Sequence, residues 1–318
     1  MATKKTQVVF SSEDGAISRA VEQLVAGELV AIPTETVYGV AADALNDAAV
    51  QQIYTAKGRP SNNPLICHVS SIQMADHYVY VNENAKKLMN HYWPGPLTLV
   101  LPRRDENGIS DTVSAKLSTL AVRCPDNETT RSIIENLNRP IAAPSANPSG
   151  KLSPTTAKDV EEGLGGKIAM IIDGGATNVG IESTIIGVEG DKLTLLRPGT
   201  LTAEDIAETM GMAVHNREDN SITAPGQLKS HYAPNSAVRL NAEERNSGET
   251  LIGFGDVDCD FNLSPGEDFA EAARNLFNML READALNTET IAVSPIPNHG
   301  IGIALNDRLE RAAAPRNS

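Results

Sequence analysis

Aromatic side chains are scarce in this 318-residue chain: 4% of residues, with one tryptophan. Surfaces that stack single-stranded bases need such rings, so that mode of RNA recognition is disfavoured. Positive charge is also in deficit. Lys and Arg number 27 against 41 Asp and Glu, a net charge of -14, and such a field repels a phosphate backbone. From residue 213 onward the imbalance persists, with 9 basic against 16 acidic residues. Stable, broad nucleic-acid binding is therefore not expected. Cysteines are few: Cys67, Cys124 and Cys259 are odd in number, widely scattered and without a CxxC pair or a neighbouring His cluster. Buried free thiols in a reducing cytoplasm are expected, not a disulfide or zinc framework. No stretch reaches the ~18 apolar residues that span a bilayer, and the first residues lack the apolar segment of a signal peptide. A cytoplasmic protein without a membrane segment is the expectation.

The usual phosphate-binding fingerprints are missing as well. Gly163–Ile168 fails the Walker A pattern at the glycine spacing and at the final hydroxyl. Gly253–Gly255 lacks the third glycine and the following helix of a dinucleotide-binding turn. Any nucleotide is bound by another route.

What the chain does have is 41% apolar residues, ample for a core, and a length that favours two domains. Apolar positions at helical spacing predict a helix over 17–27 and another over 48–56 that presents Lys57 at its C-terminal end. Strands are expected at 29–33, 64–69, 97–101, 119–123, 141–143, 168–172, 183–188 and 192–196. This is an α/β (α+β) pattern, a rich mixed sheet with helices packed outside. A helix ends near Met210, and residues 212–236 then lose periodicity and read as a linker. Its length suits a lid. Strands at 238–240, 250–254 and 290–293, with helices near 267–284 and 302–313, form a small α/β domain. The expected division is 1–211, 212–236 and 237–318.

Polar groups cluster where these strands end. Lys57 and Arg59 flank Gly58 ahead of a turn rich in Pro and Asn, and Ser145 and Asn147 close the run from Pro140 to Pro148. Each cation alone is compatible with an ordinary solvated charge. Pro33–Gly39 places three oxygen-bearing side chains after a strand, either a polar cap or donors aimed into a cleft. His68 alternates with apolar residues, the setting of a satisfied, partly buried histidine. Arg123 and Arg197 each leave an apolar strand, and an arginine so close to a core usually meets an anion. Several such Arg, Ser and Thr groups together predict a pocket for a small polyanion, because phosphate oxygens accept charge-assisted hydrogen bonds.

These stretches, with Trp93–Thr98, Ala121–Pro125, Ala143–Asn147, Glu182–Thr184 and Leu196–Gly199, closely resemble the Sua5/YciO/YrdC family. The Ser230–Pro234 segment and the second domain resemble its two-domain Sua5 branch. The resemblance implies a YrdC-like twisted mixed sheet with a basic concave cleft, followed by a small Rossmann-like α/β domain. It implies threonylcarbamoyl-AMP synthesis from L-threonine, bicarbonate and ATP with magnesium, feeding a t6A transferase that modifies tRNA. By motif, Lys57, Arg59, Ser145 and Asn147 match a basic-polar catalytic tetrad. Thr36, His68, Arg123, Ala143 and Ser183 match the threonine end of the pocket, which turns the reading of His68 toward a ligand contact. Arg59, Asn63, Thr119, Ser145, Ser153, Arg197 and Tyr232 match the ATP end. No dedicated metal cage is visible. The alternative is an RNA-binding protein of the same fold, against which charge and composition weigh. A carbamoyltransferase module like those of hydrogenase maturation is disfavoured because its acylphosphatase and zinc-finger segments are absent.

Overall fold

Short, mostly buried strands carry the first two thirds of the chain, because runs such as Val30–Ile32 are apolar on both faces. The computed structural model describes residues 5–104, 108–217, 224 and 231–315. In chain order the elements are β1 (Gln7–Phe10), α1 (Ala16–Val25), β2 (Val30–Ile32), β3 (Gly39–Asp43), α2 (Asp47–Lys57) and β4 (Ile66–His68). Next come α3 (Ile72–Asp76), α4 (Glu83–Tyr92), β5 (Leu97–Pro102), β6 (Thr119–Arg123), α5 (Glu128–Leu137) and β7 (Ile141–Ala142). Then follow α6 (Ala157–Leu164), β8 (Met170–Asp173), β9 (Thr184–Glu189), β10 (Lys192–Arg197), α7 (Ala203–Met210) and β11 (Val214–Asn216). The last are β12 (Ala237–Arg239), β13 (Glu249–Gly253), β14 (Phe261–Asn262), α8 (Phe269–Ala285), β15 (Thr290–Val293) and α9 (Ile301–Ala313).

β1 to β11 form one mixed sheet in the order β1-β8-β2-β3-β7-β4-β6-β5-β9-β10-β11. The mixed sheet expected from sequence is present. One core contains residues of α2, α4, α6 and α7, and a second contains residues of α1 and α5. β12 to β15 form a separate, wholly parallel sheet, order β12-β15-β13-β14. Its core with α8 and α9 also takes in Val37, Leu152, Ile181 and Tyr232. The second sheet's helices thus share a core with the loops that end the first sheet's strands.

One expectation is corrected. Residues 212–236 do not begin as linker, because β11 pairs parallel with β10 from Leu193↔Val214 to Leu195↔Asn216. It is the edge strand of the sheet, half-buried at Val214 and exposed at His215 and Asn216, so it carries no apolar alternation to read. Residues 218–223 and 225–230, about half of the expected lid, lie outside the described residues.

Candidate active site

Helix α2 places the first cations. Asn46 caps it by accepting from the Ala49 amide at 3.2 Å, and Gly58 ends it in the left-handed region at φ 62°, the conformation glycine adopts without strain. The turn that follows sends Arg59 inward. Its Nε donates to the Asn63 carbonyl at 3.1 Å, and Nη2 to Asn63 Oδ1 at 2.7 Å and the Pro64 carbonyl at 2.8 Å. Asn63 therefore shapes the arginine from behind. Burial lowers Arg59 to about 10, which still leaves it charged at neutral pH.

Lys57 behaves differently. Its Nζ donates to the carbonyls of Ser145 and Asn147, both at 2.5 Å. Asn147 Nδ2 in turn donates to the Pro148 and Lys151 carbonyls at 2.9 and 2.8 Å. Burial, followed by the neighbouring Arg59, holds the Lys57 ammonium well below the usual lysine range. Lys57 and Asn147 thus fix the loop that carries Ser145.

The ends of β4 and β6 lie side by side, with His68 opposite Arg123. Arg123 Nη1 donates to Thr36 Oγ1 at 2.9 Å, and Nε to the Gly95 carbonyl at 3.3 Å. Its Nη2 comes within 2.6 Å of Glu35 Oε1, an ion pair without good hydrogen-bond alignment. His68 Nδ1 is 3.3 Å from the Ile66 carbonyl. Burial, and then Arg123, pushes His68 down to about 3, so the ring is neutral. Arg197, at the end of β10, grips the Ser183 carbonyl through Nε and Nη2 at 3.0 and 2.9 Å, and Ser183 Oγ at 3.1 Å.

These groups face one cavity of about 50 Å³. Of the residues singled out from sequence, Thr36, Arg59, His68, Arg123, Ala143, Ser145, Arg197 and Tyr232 line it. Lys57, Asn63, Asn147, Ser153 and Ser183 are buried and bonded to groups around it, while Thr119 opens β6, paired with Pro102. Sequence reasoning gave no role to Glu182 and His231, which also line the cavity. Both lie inside motifs quoted for the resemblance, so the signal was present but unassigned. Among the described residues no group of three or more His, Cys, Asp and Glu could hold a metal ion.

A family model described as telomere recombination, Sua5/YciO/YrdC, matches residues 22–199, and one described as threonylcarbamoyl-AMP synthase, C-terminal domain, matches 201–314. The chain belongs to the Sua5/YciO/YrdC family. It falls in the two-domain Sua5 branch. A threonylcarbamoyl-AMP synthase of Pyrococcus abyssi is 41% identical over 313 residues, covering 91% of this chain and 92% of that one. The synthase of Bacillus subtilis is 38% identical over 332 residues, covering 96% and 95%. The solved structure of P. abyssi Sua5 complexed with L-threonine matches this Sua5 chain with a TM-score of 0.88 at 38% identity, over 97% of each.

The Sua5 fold keeps its thiols apart: Cys67 and Cys124 are buried, Cys259 is half-buried, and all are free. Among the described residues no helix is long and apolar enough to cross a membrane.

Proposed function

We propose that this Sua5 chain condenses L-threonine, bicarbonate and ATP into threonylcarbamoyl-AMP, acting as a nucleotidyltransferase in the cytoplasm. The observation that carries the reading is the convergence of Arg59, Arg123 and Arg197 on one buried cavity with Thr36, His68 and Ser145. The reaction joins anions, and a dry site with fixed cations suits it.

Threonine's ammonium gives up a proton, and the resulting amine takes up the carbon of bicarbonate with loss of water, giving a carbamate. A carbamate oxygen then attacks the α-phosphorus, a P–O bond forms, and the bond to the β-phosphate oxygen breaks to release pyrophosphate. Arg123 binds the amino-acid carboxylate, with Thr36 and neutral His68 beside it. Arg59 and Arg197 meet the phosphates, and Ser145 orients the carbamate without adding repulsive charge. No side chain forms a covalent intermediate; positioning and electrostatics supply the acceleration. Magnesium would come with the nucleotide and offset its charge; Glu182, the carboxylate on the cavity wall, is already bonded to Ser153 and Arg308. The product passes to a t6A transferase acting on tRNA.

The cavity is far smaller than the ~300–1,000 Å³ of a typical ligand pocket. His231 and Tyr232 are part of its wall, and a cavity this small admits ATP only if part of that wall moves outward. Closure over the reacting groups then keeps water from the mixed anhydride.

The test is pyrophosphate release by the purified chain with ATP and magnesium, with and without L-threonine and bicarbonate, and the mass of the nucleotide product. Release that needs all three, with a threonylcarbamoyl-adenylate mass, is expected. Release without threonine and bicarbonate points to a pyrophosphohydrolase, and no release from folded protein to the RNA-binding alternative.

A further inference from the structure

Arg308 of α9 is wholly buried, yet its partner belongs to the other sheet's loops. Its Nε donates to Glu182 Oε2 at 3.0 Å across 126 positions of sequence. Nη1 donates to Asp307 at 2.8 Å, and the Tyr232 ring centre lies 5.5 Å from the guanidinium carbon. The second oxygen of Glu182 accepts from Ser153 Oγ at 2.5 Å. Glu182 therefore has both oxygens engaged while its side chain lines the same cavity as Arg59 and Arg197.

A buried carboxylate on the wall of a polyanion site is an unexpected choice, since like charges in low dielectric repel strongly. Left alone, Glu182 would either pair with the cavity arginines and cancel them, or repel the incoming phosphates. A cation behind the wall removes both problems. Arg308 does not line the cavity, so it takes up the charge of Glu182 without competing for ligand.

We propose that Arg308 is a positioning residue for nucleotide binding: it neutralises Glu182 from behind, so that the charge of Arg59 and Arg197 is not spent on Glu182 and remains for the phosphates. The inference rests on the ATP-dependent reading above and assigns the C-terminal α/β unit a role in completing the site.

The groups facing Glu182 set its pH behaviour. They are Arg308 from α9, which Asp307 also engages, Arg197 from the end of β10, His231 and Tyr232 ahead of β12, Ser153, and Lys57 at the end of α2. Burial pushes the Glu182 carboxyl up, but Arg308 and then Arg197 pull it below the ordinary carboxylate range. Without Arg308 the largest of the charges that pull it down is gone, so the Glu182 carboxyl rises and takes up a proton at a higher pH.

The experiment uses the full chain as wild type, Arg308→Met, Arg308→Lys and the double variant Arg308→Met/Glu182→Gln. Inorganic triphosphate affinity is measured by calorimetry from pH 6 to 8.5, with pyrophosphate release alongside. Arg308→Met is expected to weaken triphosphate binding by roughly tenfold or more at pH 8, with the deficit shrinking toward pH 6. Arg308→Lys keeps the charge and is expected within about threefold of wild type. The double variant, lacking both charges, is expected to recover most of the lost affinity. A merely structural role for Arg308 predicts no such rescue and a pH profile parallel to wild type; either result overturns the proposal. Should Arg308→Met not fold, the double variant and Arg308→Lys decide it, and a tenfold loss in both overturns it. Wild type that binds triphosphate but releases no pyrophosphate sinks the synthase reading alone, whereas wild type that binds no triphosphate sinks this inference as well.

Discussion

Arg123 is held on three sides, by Thr36, Gly95 and Glu35, which fixes its planar guanidinium on the cavity wall, where we propose that it meets the threonine carboxylate. Lysine offers a point charge with no fork. Arg123→Lys is therefore expected to raise the threonine KM by roughly tenfold or more while moving the ATP KM little, as steady-state pyrophosphate assays would show. Equal changes in both would mean that Arg123 does not sort the two substrates. The two neutral histidines make a second prediction. Burial holds His68 and His231 each at about 3, below the ~6.5 of an unfolded chain. Above pH 6.5 the difference has no effect. As the pH falls from 6.5 toward 3 the unfolded chain binds protons that the folded one refuses, so stability drops. Replacing both by Gln is expected to flatten that acid limb in melting temperature against pH.

At the scale of elements, the seam between the two sheets is set by one glycine. Gly180 has φ +84°, and a Cβ there would stand 2.4 Å from the Ala273 carbonyl oxygen and the Arg274 Cα of α8. Gly180→Ala is expected to cost about 2 kcal/mol or more through overpacking and backbone strain. Gly175→Ala, at φ +80° with open space around it, is expected to cost about 1 kcal/mol from strain alone. Urea unfolding of the two variants compares them, and equal losses would show that contact with α8 is not what matters.

Elements are legible where the apolar pattern is strong. Helix α2 with Lys57 at its end, strand β6 ending on Arg123 and the helices α8 and α9 all fall within a few residues of expectation. Strand β3 is not legible, because Gly39–Asp43 is rich in Gly and Ala, which carry little strand propensity. Helix α4 was missed for its polar surface, only Ala85, Leu88 and Met89 being buried. In the site, residues that end strands were visible as lone arginines. The pairings Glu35 with Arg123 and Glu182 with Arg308 were not, since contacts 88 and 126 positions apart leave no periodic trace.

For the whole molecule, the net charge of -14 sets what surrounds the site. A short tRNA fragment is expected to bind only weakly, with affinity falling little between 50 and 200 mM salt, because few phosphates can be neutralised; a steep slope in filter binding would contradict this. Deleting residues 225–234, which takes away His231 and Tyr232, is expected to reduce adenylate yield more than Tyr232→Phe, which removes only one hydroxyl. An unchanged yield and ATP affinity after the deletion would sink the idea that His231 and Tyr232 serve the site whose cavity they line.

The ion pair from Glu182 to Arg308 also has a meaning in time. A ribosome adds about 5–20 residues per second, and segments fold as they emerge. Glu182 is therefore made roughly 6 to 25 s before Arg308, their separation being 126 positions. Through that interval the nascent first sheet carries a carboxylate without its guanidinium, and the counter-charge of Glu182 waits on α9.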